Sequence, residues 1–152
     1  MNIAEISIRN VPAIAPGASL QEAAVAMRGA AAGVLPVTEN GRLLGTLSER
    51  DLVVGGCASG RDPRRETIEN IFDRRAAACP GAWHLRAALD LMRQRRETWL
   101  VVLDPDGAVA GAVSLVELLA LLESLVPEEH EGPEPESVRR VRGENVSGGR
   151  GG

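Results

Sequence analysis

Apolar positions recur along this chain with two periods, and the same succession of periods occurs twice. In PGASLQEAAVAM (16–27), Leu20, Ala23, Ala24 and Met27 stand at i, i+3, i+4 and i+7. In PGAWHLRAALDLM (80–92), Leu85, Ala88, Leu89 and Met92 do the same. Each spacing puts one apolar stripe on a helix. Ser19 with Glu22 three residues on predicts a capping box at the first helix start. Each helix is followed by two short apolar runs around a turn signal. The first copy has VLPVTENGRLLGTLSERDL (34–52), turning at Asn40-Gly41; the second has WLVVLDPDGAVAGAVSLVEL (99–118), turning at Asp106-Gly107. Both predict a β-hairpin. Further helices are expected over Leu52–Val54 and Leu115–Val126, and extended lead-ins over Val11–Ala15 and Ala76–Cys79.

Self-similarity at a fixed spacing is a property of repeat proteins. The offset is 65 residues between the helix leucines (Leu20, Leu85) and 66 between the serines after the hairpins (Ser48, Ser114). The expected fold is therefore α+β (a mixed α/β class): two tandem repeats, each a small sheet with flanking helices, related by a pseudo-twofold axis. One such sheet cannot bury both of its faces, so the repeats should pack on each other. The divisions expected are a first repeat over 1–56, a connector over 57–67 containing SGRDPRR, a second repeat over 68–126 and a disordered tail over 127–152. The tail is rich in Glu, Gly, Pro and Arg.

Composition narrows the function classes. The aromatic residues are Phe72, Trp83 and Trp99, so Ala, Val, Leu and Ile must build the core. All 17 basic residues are Arg, which removes the lysine of a P-loop or of a Schiff-base enzyme. The net charge of −4, with both signs mixed along the chain, offers no basic stripe for nucleic acid. A nucleophile–base pair would have to use His84, which is read instead as a partly exposed helix residue; His130 lies in the tail. Cys57 and Cys79 have neither metal-ligand spacing nor a CxxC pattern, and read as small apolar fillers in a reducing compartment. The expectation is no metal, no catalytic residue, no signal peptide, no membrane span and a cytoplasmic location.

The order helix, Leu35-Pro36-Val37, Asn-Gly turn, then Gly45-Thr46-Leu47-Ser48-Glu49-Arg50-Asp51-Leu52, twice over, resembles the CBS domain pair, or Bateman module, across roughly 6–126. SERDLVVGGCASGRDP followed by TIENIF is similar to the small stand-alone bacterial members typified by hypoxic response protein. The second copy departs from the pattern, with Val101 where Pro is usual and Glu117 where Asp is usual. The resemblance implies a regulatory sensor with no enzyme activity. It would bind AMP, ADP, ATP or S-adenosylmethionine in the cleft between repeats and act on a partner protein that the sequence does not name. Asp51 would hold the ribose hydroxyls, Ser48 a phosphate, and the strand Val34-Leu35-Pro36 would flank the adenine. Ser114 and Glu117 would be the second-copy counterparts.

Elementary chemistry permits two roles for these residues. Ser48 at a strand-to-helix junction precedes unpaired amides that attract phosphate, Asp51 can accept from a cis-diol, and Arg50 adds positive charge. Ser-x-x-Asp and Ser-x-x-Glu are equally helix caps, in which hydroxyl and carboxylate satisfy the backbone. Gly45 and Gly111 would admit a ligand or mark a bend, and Pro36 implies an edge strand or an unpaired position at a cleft. Arg93, Arg95 and Arg96 match a helix C-terminus, or else face phosphate. Trp99 would sit in a core or interface, or else stack on a base. The last helix, with Leu115, Leu118, Leu119 and Leu122 on one stripe and Val116, Leu121, Leu125 and Val126 around it, is apolar on more than one side, which predicts a homodimer through it. An interaction module with the same fold and no ligand is the alternative function.

Overall fold

The computed structural model describes residues 1–7 and 10–126. The expected tail, 127–152, lies outside the described residues. The first repeat runs from a 3-10 turn (Ile3–Glu5) through α1 (Leu20–Ala30), β1 (Val34–Glu39) and β2 (Arg42–Ser48) to a wide π-helical segment, Asp51–Cys57. The second runs from a 3-10 turn (Ile68–Asn70) through β3 (Ala78–Pro80), α2 (Leu85–Arg95), β4 (Trp99–Leu103) and β5 (Val109–Ser114) to α3 (Leu115–Leu125). Where a helix was expected over Leu52–Val54, the chain makes the π-helical segment, and Gly55 and Gly56 fall inside it. A Cβ on Gly55 would meet Ile71, and one on Gly56 would press on Leu20, so the segment lies close against both neighbours.

The hairpins share their irregularities. β1 and β2 pair antiparallel from Val34–Ser48, and the register slips after Val37; β4 and β5 pair from Trp99–Ser114 and slip after Val102. Two bulges at corresponding positions give both hairpins the same bend. Asn40 and Gly41 both have positive φ, 51° and 77°, as a two-residue type I′ turn requires. The second turn is longer and is closed by the Asp104 amide on the Ala108 carbonyl at 2.8 Å. β3 lies parallel to β4, and Ile14 takes the corresponding place beside β1 through a parallel bridge to Val37. β1 is thus flanked on both sides. Pro36 is buried there, and its carbonyl accepts from the Ile14 amide at 3.0 Å. β1 is an edge of a two-stranded sheet with one bridge on its outer side, and Pro36 puts its missing donor at an unpaired position just past that bridge, where it costs no bond.

The sequence pattern did not reveal that the leading turns are exchanged. Ile3 is fully buried with Leu85, Ala88, Met92, Leu100 and Leu118, all in the second repeat. Ile68 and Phe72 are buried with Ala23, Met27, Leu35 and Leu47, all in the first. The backbone repeats the crossing: the Ile3 amide donates to the Trp83 carbonyl, and the Ile68 amide to the Ala18 carbonyl, each at 3.0 Å. Asn2 bridges His84 as Thr67 bridges Ser19. A smaller cluster, Val34, Val101 and Ala112, forms the seam between the hairpins, with Trp99 packed on it. Trp99 therefore takes its core position, with its indole so close to Gly33 that a Cβ there would lie 2.4 Å from Nε1.

Because each leading isoleucine completes the other repeat's core, Ile3→Ala and Ile68→Ala should each cost about 2–5 kcal/mol. Urea denaturation of the two variants checks this. A variant as stable as its parent would mean that the exchanged turn carries no core weight.

Candidate functional site

The two hairpins end on the same device. The Ser48 amide donates to Asp51 Oδ2 at 2.8 Å, and the Asp51 amide to Ser48 Oγ at 3.1 Å. The Ser114 amide donates to Glu117 Oε2 at 3.0 Å, and the Glu117 amide to Ser114 Oγ at 3.1 Å. Both pairs are reciprocal caps, so the capping role holds in both copies. It occupies one carboxylate oxygen of Asp51; Oδ1 has no hydrogen-bond partner among the described residues.

Asp51, half-buried, and Arg50, exposed, line an open cavity of about 340 Å³. Its other walls include Val54 and Gly55 of the π-helical segment, Ser59 and Arg61 of the connector, and Asn70 and Ile71 of the exchanged turn. Arg61 is held in place by its Nε on the Gly55 carbonyl at 3.2 Å and by Glu66 at 3.3 Å. Arg61 and Asn70 were not among the expected site residues. SGR after a helix and TIEN before the next repeat look like a plain connector until the exchange folds them against Asp51.

Val34 and Leu35 are fully buried, Val34 in the seam and Leu35 in the first core, and with Pro36 they line none of this cavity. Ser114 and Glu117 sit at the start of α3, far along the chain from Asp51; their neighbours Leu115 and Leu119 line a separate groove of about 560 Å³ with Arg93, Arg96 and Glu97 of α2 and its following turn. Gly45 serves packing: a Cβ there would lie 2.1 Å from the Asp73 carbonyl oxygen. That carbonyl accepts from the Thr46 amide at 2.9 Å, and the Asp73 amide returns the bond at 2.8 Å.

Arg95 stands apart from its neighbours in the arginine cluster. Its guanidinium donates to the Arg75 and Ala76 carbonyls, both at 2.8 Å, and to Asp73 Oδ2 at 3.1 Å. It ties α2 to the linker Asp73–Ala77, which joins the Ile68–Asn70 turn to β3 and pairs with β2 at Thr46. Glu97, two residues on, has its carboxyl pushed above the ordinary value of 4.5, first by burial and then by the nearby charges of Asp73 and Asp51, against the lowering pull of Arg95 and Arg75. Burial pushes the Cys79 thiol up to about 11, so it stays protonated as a core filler, while Cys57 is exposed. His84 is exposed and caps α2, its Nδ1 accepting from the Arg86 amide at 3.3 Å. Among the described residues no three His, Cys, Asp or Glu side chains converge as a metal site, and no helix is long and apolar enough to cross a membrane.

Two repeats with exchanged leading turns, bulged hairpins and Ser-x-x-acid caps define a class of tandem module, and the comparisons with known proteins give it a family. The CBS domain pattern matches residues 3–54 and again 68–124, and the chain belongs to the CBS domain family. The CBS domain-containing protein YhcV of Bacillus subtilis is 32% identical over 108 residues, covering 71% of this chain and 76% of YhcV. Hypoxic response protein I, solved with two coordinated zinc ions, superposes with a TM-score of 0.68 at 23% identity, over 84% of this chain and 100% of that one. The CBS domain pair of MJ0100, solved with 5′-methylthioadenosine and S-adenosylmethionine, superposes with a TM-score of 0.72 at 18% identity, over 83% and 98% of the two chains.

Two outcomes follow from this geometry. Ser48→Ala and Ser114→Ala should each lower stability by about 0.5–2 kcal/mol, measured by denaturant unfolding, since both hydroxyls cap helices. Glu97 binds its proton more tightly folded than unfolded, so stability falls as pH rises from the ordinary glutamate value through the raised folded one. Glu97→Gln should therefore melt higher than the parent at pH 7, with the gap closing at acid pH below the ordinary value. A gap that is constant with pH would contradict this.

Proposed function

We propose that this CBS domain pair is a regulatory module that takes an adenosyl ligand, AMP, ADP, ATP or S-adenosylmethionine, at Asp51. The observation that carries the reading is that Asp51 lines a cavity with Arg50 and Arg61 and caps its helix through one carboxylate oxygen only. The cavity volume, about 340 Å³, falls at the lower end of the ~300–1,000 Å³ common for small-molecule sites. An unshared carboxylate oxygen suits a ribose hydroxyl, and the two guanidiniums suit phosphate. The Asp51 amide already donates to Ser48 Oγ and the Glu49 amide to the Gly33 carbonyl, so the two arginines would share the phosphate with the Ser48 hydroxyl proton. The complex of MJ0100 with methylthioadenosine and S-adenosylmethionine supports the adenosyl class.

A ligand there would touch the π-helical segment of the first repeat and the Asn70–Ile71 turn of the second. It would stabilise the exchanged arrangement, which gives a binding event a structural consequence without chemistry. This is the behaviour of a sensor that signals to a partner protein, and it needs no catalytic residue. The second reading, an interaction module with no small ligand, is favoured by the finding that both Ser-x-x-acid pairs already serve as caps. We assign the protein to a cytoplasmic setting and to a homodimer formed through α3, on which Val116 and Leu119 are 76% and 46% exposed.

Asp51→Ala should weaken adenine-nucleotide binding by about 1.5–3 kcal/mol, the range for hydrogen bonds to a charged group, while Glu117→Ala should change it little. Calorimetry against AMP, ADP, ATP and S-adenosylmethionine tests the assignment. No binding at millimolar concentration, or a loss of stability with affinity untouched, would decide for the interaction module. For assembly, Val116→Arg with Leu119→Arg should leave a 16.0 kDa species in sedimentation at micromolar concentration where the parent runs as a dimer. A monomeric parent would overturn the dimer.

A further inference from the structure

Arg61 stands between two cavities of the first repeat. On one side it lines the Asp51 cavity, and on the other a slot of about 190 Å³ against α1, with Leu20, Gln21 and Ala24. Its side chain has two holds. Nε donates to the Gly55 carbonyl at 3.2 Å, and Nη1 donates to Glu66 Oε2 at 3.3 Å. The first hold keeps the guanidinium beside the π-helical segment; the second gives it a carboxylate of the connector. Glu66 itself lines neither cavity. The connector's other acid, Asp62, is engaged elsewhere, accepting from the Arg64 amide at 3.0 Å and lying 3.8 Å from Arg65.

The Glu66 contact changes the charge of the Asp51 cavity. Two guanidiniums, Arg50 and Arg61, and one carboxylate, Asp51, line it. Glu66 offsets the surplus positive charge from outside. The Arg61 and Glu66 side chains are 31% and 47% exposed, and a pair so open to water holds weakly. A phosphate carries more charge and more acceptor oxygens than one carboxylate, so it competes well for the same guanidinium. The connector also reaches α1 at this residue. The Glu66 carbonyl accepts from the Leu20 amide at 3.0 Å, and the Pro63 carbonyl from the Gln21 amide at 2.9 Å. Both are first-turn amides that have no acceptor within their own helix.

We propose that Glu66 is a built-in competitor for anionic ligands: its carboxylate neutralises Arg61 in the free protein, and an anionic ligand in the Asp51 cavity displaces it and loosens the connector at Leu20. The inference rests on the Asp51 cavity being the ligand site and adds a residue outside that cavity which sets its preference by charge. AMP brings a phosphate that takes Arg61 from Glu66. S-adenosylmethionine has no phosphate and bears a sulfonium, so a freed guanidinium gains it nothing.

Calorimetry and amide hydrogen exchange on the full chain test this, with AMP and S-adenosylmethionine as probes. Glu66→Gln should bind AMP about twofold to fivefold more tightly than the parent, the worth of a part-exposed ion pair, and S-adenosylmethionine no more tightly. Arg61→Gln should weaken AMP binding, and adding Glu66→Gln to it should restore nothing. In the parent, saturating AMP should speed exchange of the Leu20 amide. If Glu66→Gln fails to fold, Glu66→Asp, one methylene shorter, should give the same gain. The proposal is overturned, and the Asp51 site left standing, if AMP binds but the Glu66 variants gain no affinity, or if they gain as much for S-adenosylmethionine. The same holds if the gain survives in the Arg61→Gln background, or if AMP slows or leaves unchanged the exchange at Leu20. AMP binding to neither parent nor variant overturns it too, together with the Asp51 reading if S-adenosylmethionine also fails to bind.

Discussion

The structure depends on the reciprocal crossing of two isoleucines. Ile3 and Ile68 are each fully buried, and each lies in the core built by the other repeat. A half of this size has a two- or three-stranded sheet and two helical elements, which leave one end of its core open. The hydrophobic free energy of closing it, about 1.5–3 kcal/mol for an aliphatic side chain, is available only when the partner half supplies the plug. From that constraint follow the Val34–Val101–Ala112 seam and the placement of a cavity where the exchanged turn meets the first repeat's helix.

The linker Asp73–Ala77, which joins the exchanged turn to β3 of the second repeat, is a structural member as well as a tether. Asp73 pairs with Thr46 through both backbone bonds, Thr46 Oγ1 accepts from the buried Ala77 amide at 2.8 Å, and Arg95 holds three of the linker's oxygens from the far side. Thr46 lies two residues before Ser48, so β2 carries this anchorage to the cap at Asp51. In the described part of the fold Arg95 has no twin, since the corresponding position in the first repeat is Ala30. The two halves are alike in topology and unlike in how firmly each strand end is held.

Much of this was legible in the amino acids because it rests on local rules. The i, i+3, i+4, i+7 stripes at Leu20 and Leu85, the Asn40-Gly41 turn and the Ser19 and Ser48 caps need only their neighbours to act. The repeat added the pairing of halves. What stayed hidden depends on long-range contact. Ile3 and Ile68 carry no mark of where they pack; Asn70 reaches the Asp51 cavity only through the exchange, and Arg61 is turned to it by bonds to Gly55 and Glu66 that a connector pattern does not announce. Val34-Leu35-Pro36 reads as a cleft wall by resemblance and is packed in the interior in this chain. The arginine triplet at 93–96 looks like a generic helix end, yet Arg95 alone is drawn inward by the linker's carbonyls.

The crossing also sets an order of events during synthesis. Ile3 is made well before the second repeat, but its site is assembled from Leu85, Leu100, Val113 and Leu118, so it must wait until that repeat has emerged. The first repeat likewise stays unplugged until Ile68 and Phe72 appear. The Ile3 turn thus docks only after the repeat that follows its own, and contacts of such long sequence separation slow the search for the native state. A nascent chain paused between the repeats would show an open apolar end, one that Ile68 from another unfinished copy could fill as well as its own.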